Sequence, residues 1–223
     1  EGIRKSCQLA ADTLDHLEQF VKAGVSTEEL NKEADKYIRD YGAIPAPLNY
    51  NGFPKSICTS LNEVICHGIP REDAILKDGD ILNIDVTTIL NGFYGDTCRM
   101  FAIGDISETA KKMIAVAQDC LDIGISKVKP NNEFWMIGKA IQDYAHSRGC
   151  SVVRMFAGHG TGLKFHEEPQ VSHDYDPNRC DRRKMQPGMI FTIEPMICEK
   201  KPDGRILEDG WTAVTVDGGL STQ

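Results

Sequence analysis

Two aspartates, Asp85 and Asp96, lie in apolar runs on either side of an Asn91-Gly92 pair, in the stretch ILNIDVTTILNGFYGDTCRMF at residues 81–101. Asparagine followed by glycine accepts the positive φ angles of a type I′ turn, whose twist matches that of flanking strands, so the stretch predicts a tight hairpin. With a two-residue loop, Leu90 pairs with Phe93, Thr87 with Asp96 and Asp85 with Cys98. Side chains alternate between faces, which puts Asp85, Thr87, Asp96 and Cys98 on one face and makes the two carboxylates diagonal neighbours, roughly 7–8 Å apart between backbones. Such carboxylates repel each other and lose hydration, so they need a countercharge. A partly solvated sheet face or a pair of capping aspartates would also produce this pattern, and the rest of the chain must choose.

Further residues point the same way. His67, His159 and His166 are each flanked by glycine, phenylalanine or a turn, and Glu194 lies in the apolar run MIFTIEPM; His16, His146 and His173 are assigned structural or surface roles. Ionised carboxylates in apolar runs are costly unless they are paired or metal-bound. One imidazole with several carboxylates makes an oxygen-rich, borderline donor set that suits Mn²⁺, Fe²⁺, Co²⁺ or catalytic Zn²⁺, and it suits two ions that share bridging oxygens. Nucleophilic catalysis is weakly supported, because no G-x-S-x-G stretch occurs and no cysteine stands in an evident Cys-His arrangement.

Several elements must position these groups. Apolar residues at helical spacing (Ile3, Cys7, Ala10, Leu14, Leu17, Val21) predict a helix over residues 3–21. A second follows from Ser26 or Thr27 to Tyr41, with Gly42 as its C′ residue. Residues 45–54 read as a loop with apolar teeth, and short strands are expected at 56–60 and 63–67. The pattern then restarts, with helices over 107–128 and from after Pro130 to about 147, ending at Gly149. Strands are expected at 151–156, 189–196 and 211–216, with Pro195 marking a strand end or edge. An offset of 107 superposes Val21 and Lys22 on Val128 and Lys129, Leu30 on Ile137, Tyr37 on Tyr144 and Gly42 on Gly149. The expectation is one α/β (α+β) catalytic domain over 1–223, built of two halves, about 1–104 and 105–223, with the site between them.

Composition bounds the partners. With 25 Lys and Arg against 33 Asp and Glu, a net charge of −8 gives no basic footprint for nucleic acid, and Arg182, Arg183 and Lys184 read as a solvated loop. No apolar run is long enough to span a membrane. Eight cysteines, with no C-x₂-C pair, read as small buried hydrophobes with free thiols in a reducing cytoplasmic compartment.

The motifs NEVICHGIP, DILNIDVT with GFYGDT, GHGTGLKFHEEP, FTIEPM and DGWTAVTVDGGLSTQ, in this order and spacing, resemble the type I (bacterial-type) methionine aminopeptidases across essentially the whole chain. That resemblance implies the pita-bread fold, two pseudo-symmetric halves whose antiparallel sheet is covered by helices. It implies two divalent ions (Co, Mn, Fe or Zn) on Asp85, Asp96, His159 and Glu194, with Asp96 bridging. Hydrolysis of the first peptide bond would use a water acidified by the ions, with Glu194 moving its proton. His166 would bind near the scissile bond and His67 over the departing side. The methionine side chain would enter a pocket of Tyr50, Phe53, Cys58, Phe165 and Trp211. The implied partner is the N-terminal methionine of nascent polypeptides, near the ribosome, and the implied enzyme is a cytoplasmic monomer. Phe53 stands where tyrosine is usual, and Pro47 where cysteine is frequent.

The resemblance also implies a fifth ligand, a glutamate beyond Gln223, and a last strand carrying it. Glu1 falls inside the first helix, so a longer polypeptide is the expectation at both ends; an intact mass of 24.7 kDa would contradict it. A proline-specific aminopeptidase of the same fold and an inactive pita-bread binding module are the competing readings.

Overall fold

The computed structural model describes residues 1–223. Helix α1, Gly2–Glu18, buries Leu9, Ala10, Leu14 and Leu17 on one stripe, as the spacing predicts, but stops short of Val21. Helix α2, Thr27–Asp40, starts at a complete capping box in which Ser26 and Glu29 satisfy each other's backbone N–H groups. The chain then makes β1, Ile44–Pro45; β2, Cys58–Leu61; β3, Val64–Cys66; β4, Ile81–Leu90; and β5, Phe93–Ala102. Helices α3, Glu108–Ser126, and α4, Trp135–Ser147, follow, then β6, Ser151–Val152; β7, Gly158–Gly160; β8, Glu167–Val171; β9, Ile197–Cys198; β10, Gly204–Ile206; β11, Ala213–Thr215; and β12, Ser221–Thr222.

Every strand pairing is antiparallel. The centre is β4, which carries β5 along its whole length and β1 and β2 beside it. Asn91 and Gly92 both have positive φ, 53° and 81°, and the ladder runs Leu90↔Phe93, Thr87↔Asp96 and Asp85↔Cys98, the register expected from the turn. Three smaller sheets, β10-β11-β3, β12-β9-β6 and β7-β8, complete the set. The interior forms one cluster of residues drawn from 9–103, a second drawn from 113–197, and a smaller third in which Ile65 and Cys66 meet Val153, Met196, Cys198 and Ala213. Residues 107 apart play matching parts: Leu30 and Ile137 are core residues, and Gly42 and Gly149 hold φ of +75° and +73° just past α2 and α4. The two halves are stitched where β11 pairs with β3.

Two expected strands are corrected. Residues 151–156 pair only at Ser151 and Val152, and residues 189–196 form no strand beyond a single bridge from Phe191 to Gly160. The Thr192 amide makes that bridge by bonding to His159 O, but beyond it the Glu194 amide goes to a side chain and Pro195 has no N–H, so the ladder cannot continue.

Candidate active site

The hairpin face that carries Asp85, Thr87 and Asp96 forms one wall of a cavity of about 370 Å³, which His159, His166, His67 and Glu194 also line. Sequence-predicted residues from both halves thus converge on one space of ligand-binding size. Close packing fixes the hairpin from behind: a Cβ on Gly95 would lie 2.2 Å from the Cys7 amide nitrogen, so only glycine lets α1 press against the strand beside Asp96. Buried Ser6 and Thr88 latch the same helix to β4 through paired hydroxyl and carbonyl contacts of 2.8–3.0 Å.

His159 Nε2 lies 3.5 Å from Asp96 Oδ2 and 3.5 Å from Glu194 Oε1, and the side chains of these three are only 14, 11 and 20 % exposed. Its Nδ1 is 2.9 Å from Gly160 O, an atom that can only accept, so the proton sits on Nδ1 and the Nε2 lone pair faces the two carboxylates. No lysine or arginine pairs with Asp85, Asp96 or Glu194, and His159 is the nitrogen donor that faces them. Desolvation, then mutual repulsion, pushes Asp85 well above the usual carboxylate range and Glu194 up to about 8. Asp96 is raised less, because His159 and the Thr87 hydroxyl offset its burial. Carboxyl oxygens and an imidazole set around a gap, without lysine or arginine, fit a divalent cation, whose charge would favour the ionised carboxylates. No three of these groups are already closed around one point as a finished cage; the set converges without coordinating.

The rest of the cavity is aromatic. Tyr50 and Phe165 meet at 4.7 Å between ring centroids, and Phe53 meets Trp211 edge-on at 5.2 Å. Cys58 is buried beside them, opposite Asp85 in the ladder. His67 has a left-handed backbone, φ +56°, and its ring stands edge-on to Phe156 at 5.2 Å and to Trp211 at 6.2 Å. Burial lowers its pKa. His166 sits at the cavity mouth with Nδ1 2.8 Å from the Tyr50 hydroxyl, and desolvation together with His159 and His67 holds its pKa near 4. All the residues expected at the site therefore line one cavity.

Several residues were not singled out from the sequence. Met155, Phe156, Gln170 and Met196 line the cavity, and Thr192 and His173 touch Glu194. Alternation from Glu194 could have nominated Thr192. His173, read as structural or surface, is 1 % exposed, so the surface half of that reading is corrected.

A family model, metallopeptidase family M24, matches residues 1–219. Methionine aminopeptidase A of Synechocystis is 51 % identical over 223 residues, all of this chain and 87 % of that protein. The chain belongs to metallopeptidase family M24, among the methionine aminopeptidases. The crystal structure of methionine aminopeptidase from Rickettsia prowazekii superposes with a TM-score of 0.95 at 47 % identity, covering 99 % of this chain and 88 % of that one. The family's pita-bread fold is thereby that of this chain. An X-Pro aminopeptidase from Thermotoga maritima shares the fold alone, with a TM-score of 0.72 at 18 % identity and 55 % of its length covered. The M24 family's divalent-metal use agrees with the donor set described above.

Proposed function

We propose that this protein removes the N-terminal methionine from newly made polypeptides by metal-dependent hydrolysis of the first peptide bond. The observation that carries the reading is the buried meeting of Asp85, Asp96, Glu194 and the His159 lone pair with no lysine or arginine among them, beside an aromatic pocket. Asp85, Asp96, His159 and Glu194 would hold two divalent ions of Co, Mn, Fe or Zn. Divalent ions held there supply Lewis-acid polarisation and acidify water.

The chain's own residues do the remainder. Glu194 accepts the proton that the attacking water loses and returns it toward the departing amine. The Tyr50 hydroxyl beside Nδ1 of neutral His166 leaves Nε2–H free to donate to the scissile carbonyl oxygen as its charge grows. His67 covers the departing side, edge-on between Phe156 and Trp211. Tyr50, Phe53, Cys58, Phe165 and Trp211 take up the methionine side chain, whose polarizable sulfur favours aromatic edges. A cytoplasmic monomer working close to the ribosome completes the reading.

The test is hydrolysis of a Met-Gly peptide against an Xaa-Pro peptide while Mn²⁺ or Co²⁺ is titrated into metal-free protein. Release of methionine that rises with bound metal is expected. Cleavage of the Xaa-Pro peptide alone, or metal binding with no turnover in the full-length polypeptide, overturns the reading.

A further inference from the structure

Glu194 is the one candidate ligand that no regular strand holds: Asp85 and Asp96 are fixed by the β4-β5 ladder and His159 by β7, whereas residues 192–196 lie outside every ladder. The Val153 amide holds the far end of this segment by donating to Met196 O at 3.0 Å, and a single β-bridge to β7 together with side-chain contacts holds the near end. The Glu194 amide donates to Nε2 of His173 at 3.1 Å. The Thr192 amide donates to His159 O at 2.8 Å, and the His159 amide donates to the Thr192 hydroxyl at 2.9 Å. That hydroxyl in turn donates to Glu194 Oε1, so one threonine ties the backbone of one ligand to the carboxylate of another.

The supports are themselves braced. A Cβ on Gly158 would come within 2.5 Å of Thr192 O, and one on Gly138 within 2.6 Å of Ser172 O and 2.3 Å of Asp174 O, so β7 and α4 press directly on the segments that carry Thr192 and His173. His173 is 1 % exposed and accepts an amide, which fixes its proton on Nδ1 and removes it from any proton-transfer role at the cavity.

We propose that His173 and Thr192 are positioning residues for Glu194: His173 sets its main chain from behind, and Thr192 sets the orientation of its carboxylate relative to His159. This rests on the reading of Glu194 as a ligand and proton carrier. Outer-shell partners of metal ligands typically account for 10–100-fold in affinity or activity.

The experiment compares H173L with H173Q, whose side-chain oxygen can take the place of Nε2, and T192V with T192S, which keeps the hydroxyl. Expected for H173L and T192V are a 10–100-fold loss in Mn²⁺ affinity by calorimetry and a comparable fall in kcat, with KM within about twofold because other elements build the methionine pocket. H173Q and T192S are expected to recover most of both. In metal-free protein, the Glu194 amide should lose protection from hydrogen exchange in H173L and regain it in H173Q. Folded H173L and T192V that bind Mn²⁺ within twofold of the parent, or an H173Q no better than H173L, overturn the proposal. Should H173L not fold, the T192V and T192S pair decides by the same affinity criterion. The exchange measurement needs neither metal nor substrate, so lost protection in H173L alongside an inactive parent supports the positioning role and counts against the proposed activity.

Discussion

Removing the metal should leave a folded protein whose stability falls as pH rises through the neutral range, with Glu194 contributing alongside Asp85, whose carboxyl burial and repulsion also push up. The Glu194 carboxyl keeps its proton to about pH 8 in the folded protein, against 4.5 ordinarily. Between those values the folded state binds more protons than the unfolded one, so the free energy of unfolding falls as pH increases. Integrated from pH 7 to pH 8, this group removes roughly 1 kcal/mol. His67, His166 and His173, all with pKa lowered chiefly by burial, act in the opposite sense, because the unfolded chain holds their protons more firmly, and they offset part of this loss. Replacing Glu194 by Gln removes its own contribution, relieves part of the repulsion that raises Asp85, and leaves that of the histidines. The assay is thermal unfolding of chelator-treated parent and E194Q protein at pH 7.0, 7.5 and 8.0. The gap between the two melting temperatures should widen in favour of E194Q by about 2–4 °C across the interval. Saturating Mn²⁺ should abolish or reverse the parent's decline, because the ion favours the ionised carboxylates. Parallel curves for the two metal-free proteins would refute the claim that Glu194 is held protonated by its surroundings.

Other expectations follow from the same geometry. Gly95→Ala drives a Cβ into the Ser6–Cys7 backbone at 2.2 Å, and should cost about 2–3 kcal/mol in thermal unfolding, whereas Gly124→Ala meets mainly the flexible end of Ile141 at 2.9 Å and should stay within about 1 kcal/mol of the parent. Asp96→Asn keeps the shape of the hairpin but removes the charge shared with His159, and calorimetry should show divalent-ion affinity reduced by about 10-fold or more. Tyr50→Phe leaves His166 Nδ1 without its 2.8 Å partner and should lower kcat on a Met-Gly peptide by about 10-fold, with a smaller change in KM.

The hairpin was legible because Asn91-Gly92 dictates both turn and register, so two aspartates could be placed on one face without knowledge of any other part of the chain. The helices were legible from apolar spacing and from end signals such as the Ser26–Glu29 capping box, Gly42 and Gly149. Glu194 lines the cavity as expected but was set in the wrong kind of structure. Its neighbours look like a strand locally, and what displaces a ladder is a set of partners 21 and 33 residues away in sequence, His173 and His159. The contact of His173 with the Glu194 amide was invisible for the same reason: an isolated histidine carries no mark of the amide it will accept. Segment 151–156 likewise shows strand-forming residues, but only Ser151 and Val152 find the β9 edge.

The pairing of β11 with β3 has a consequence in time. During synthesis the edge of β3 emerges early, yet Ala213 and Val214, which cover Cys66 and Val64, are made roughly 150 residues later, on the order of 10–30 s at ordinary elongation rates. For that interval the first half carries an open strand edge with unpaired backbone groups, a template for pairing with the wrong chain. Slowed elongation over the second half should therefore increase aggregation of this protein, and a trigger-type holdase on the nascent first half should suppress it.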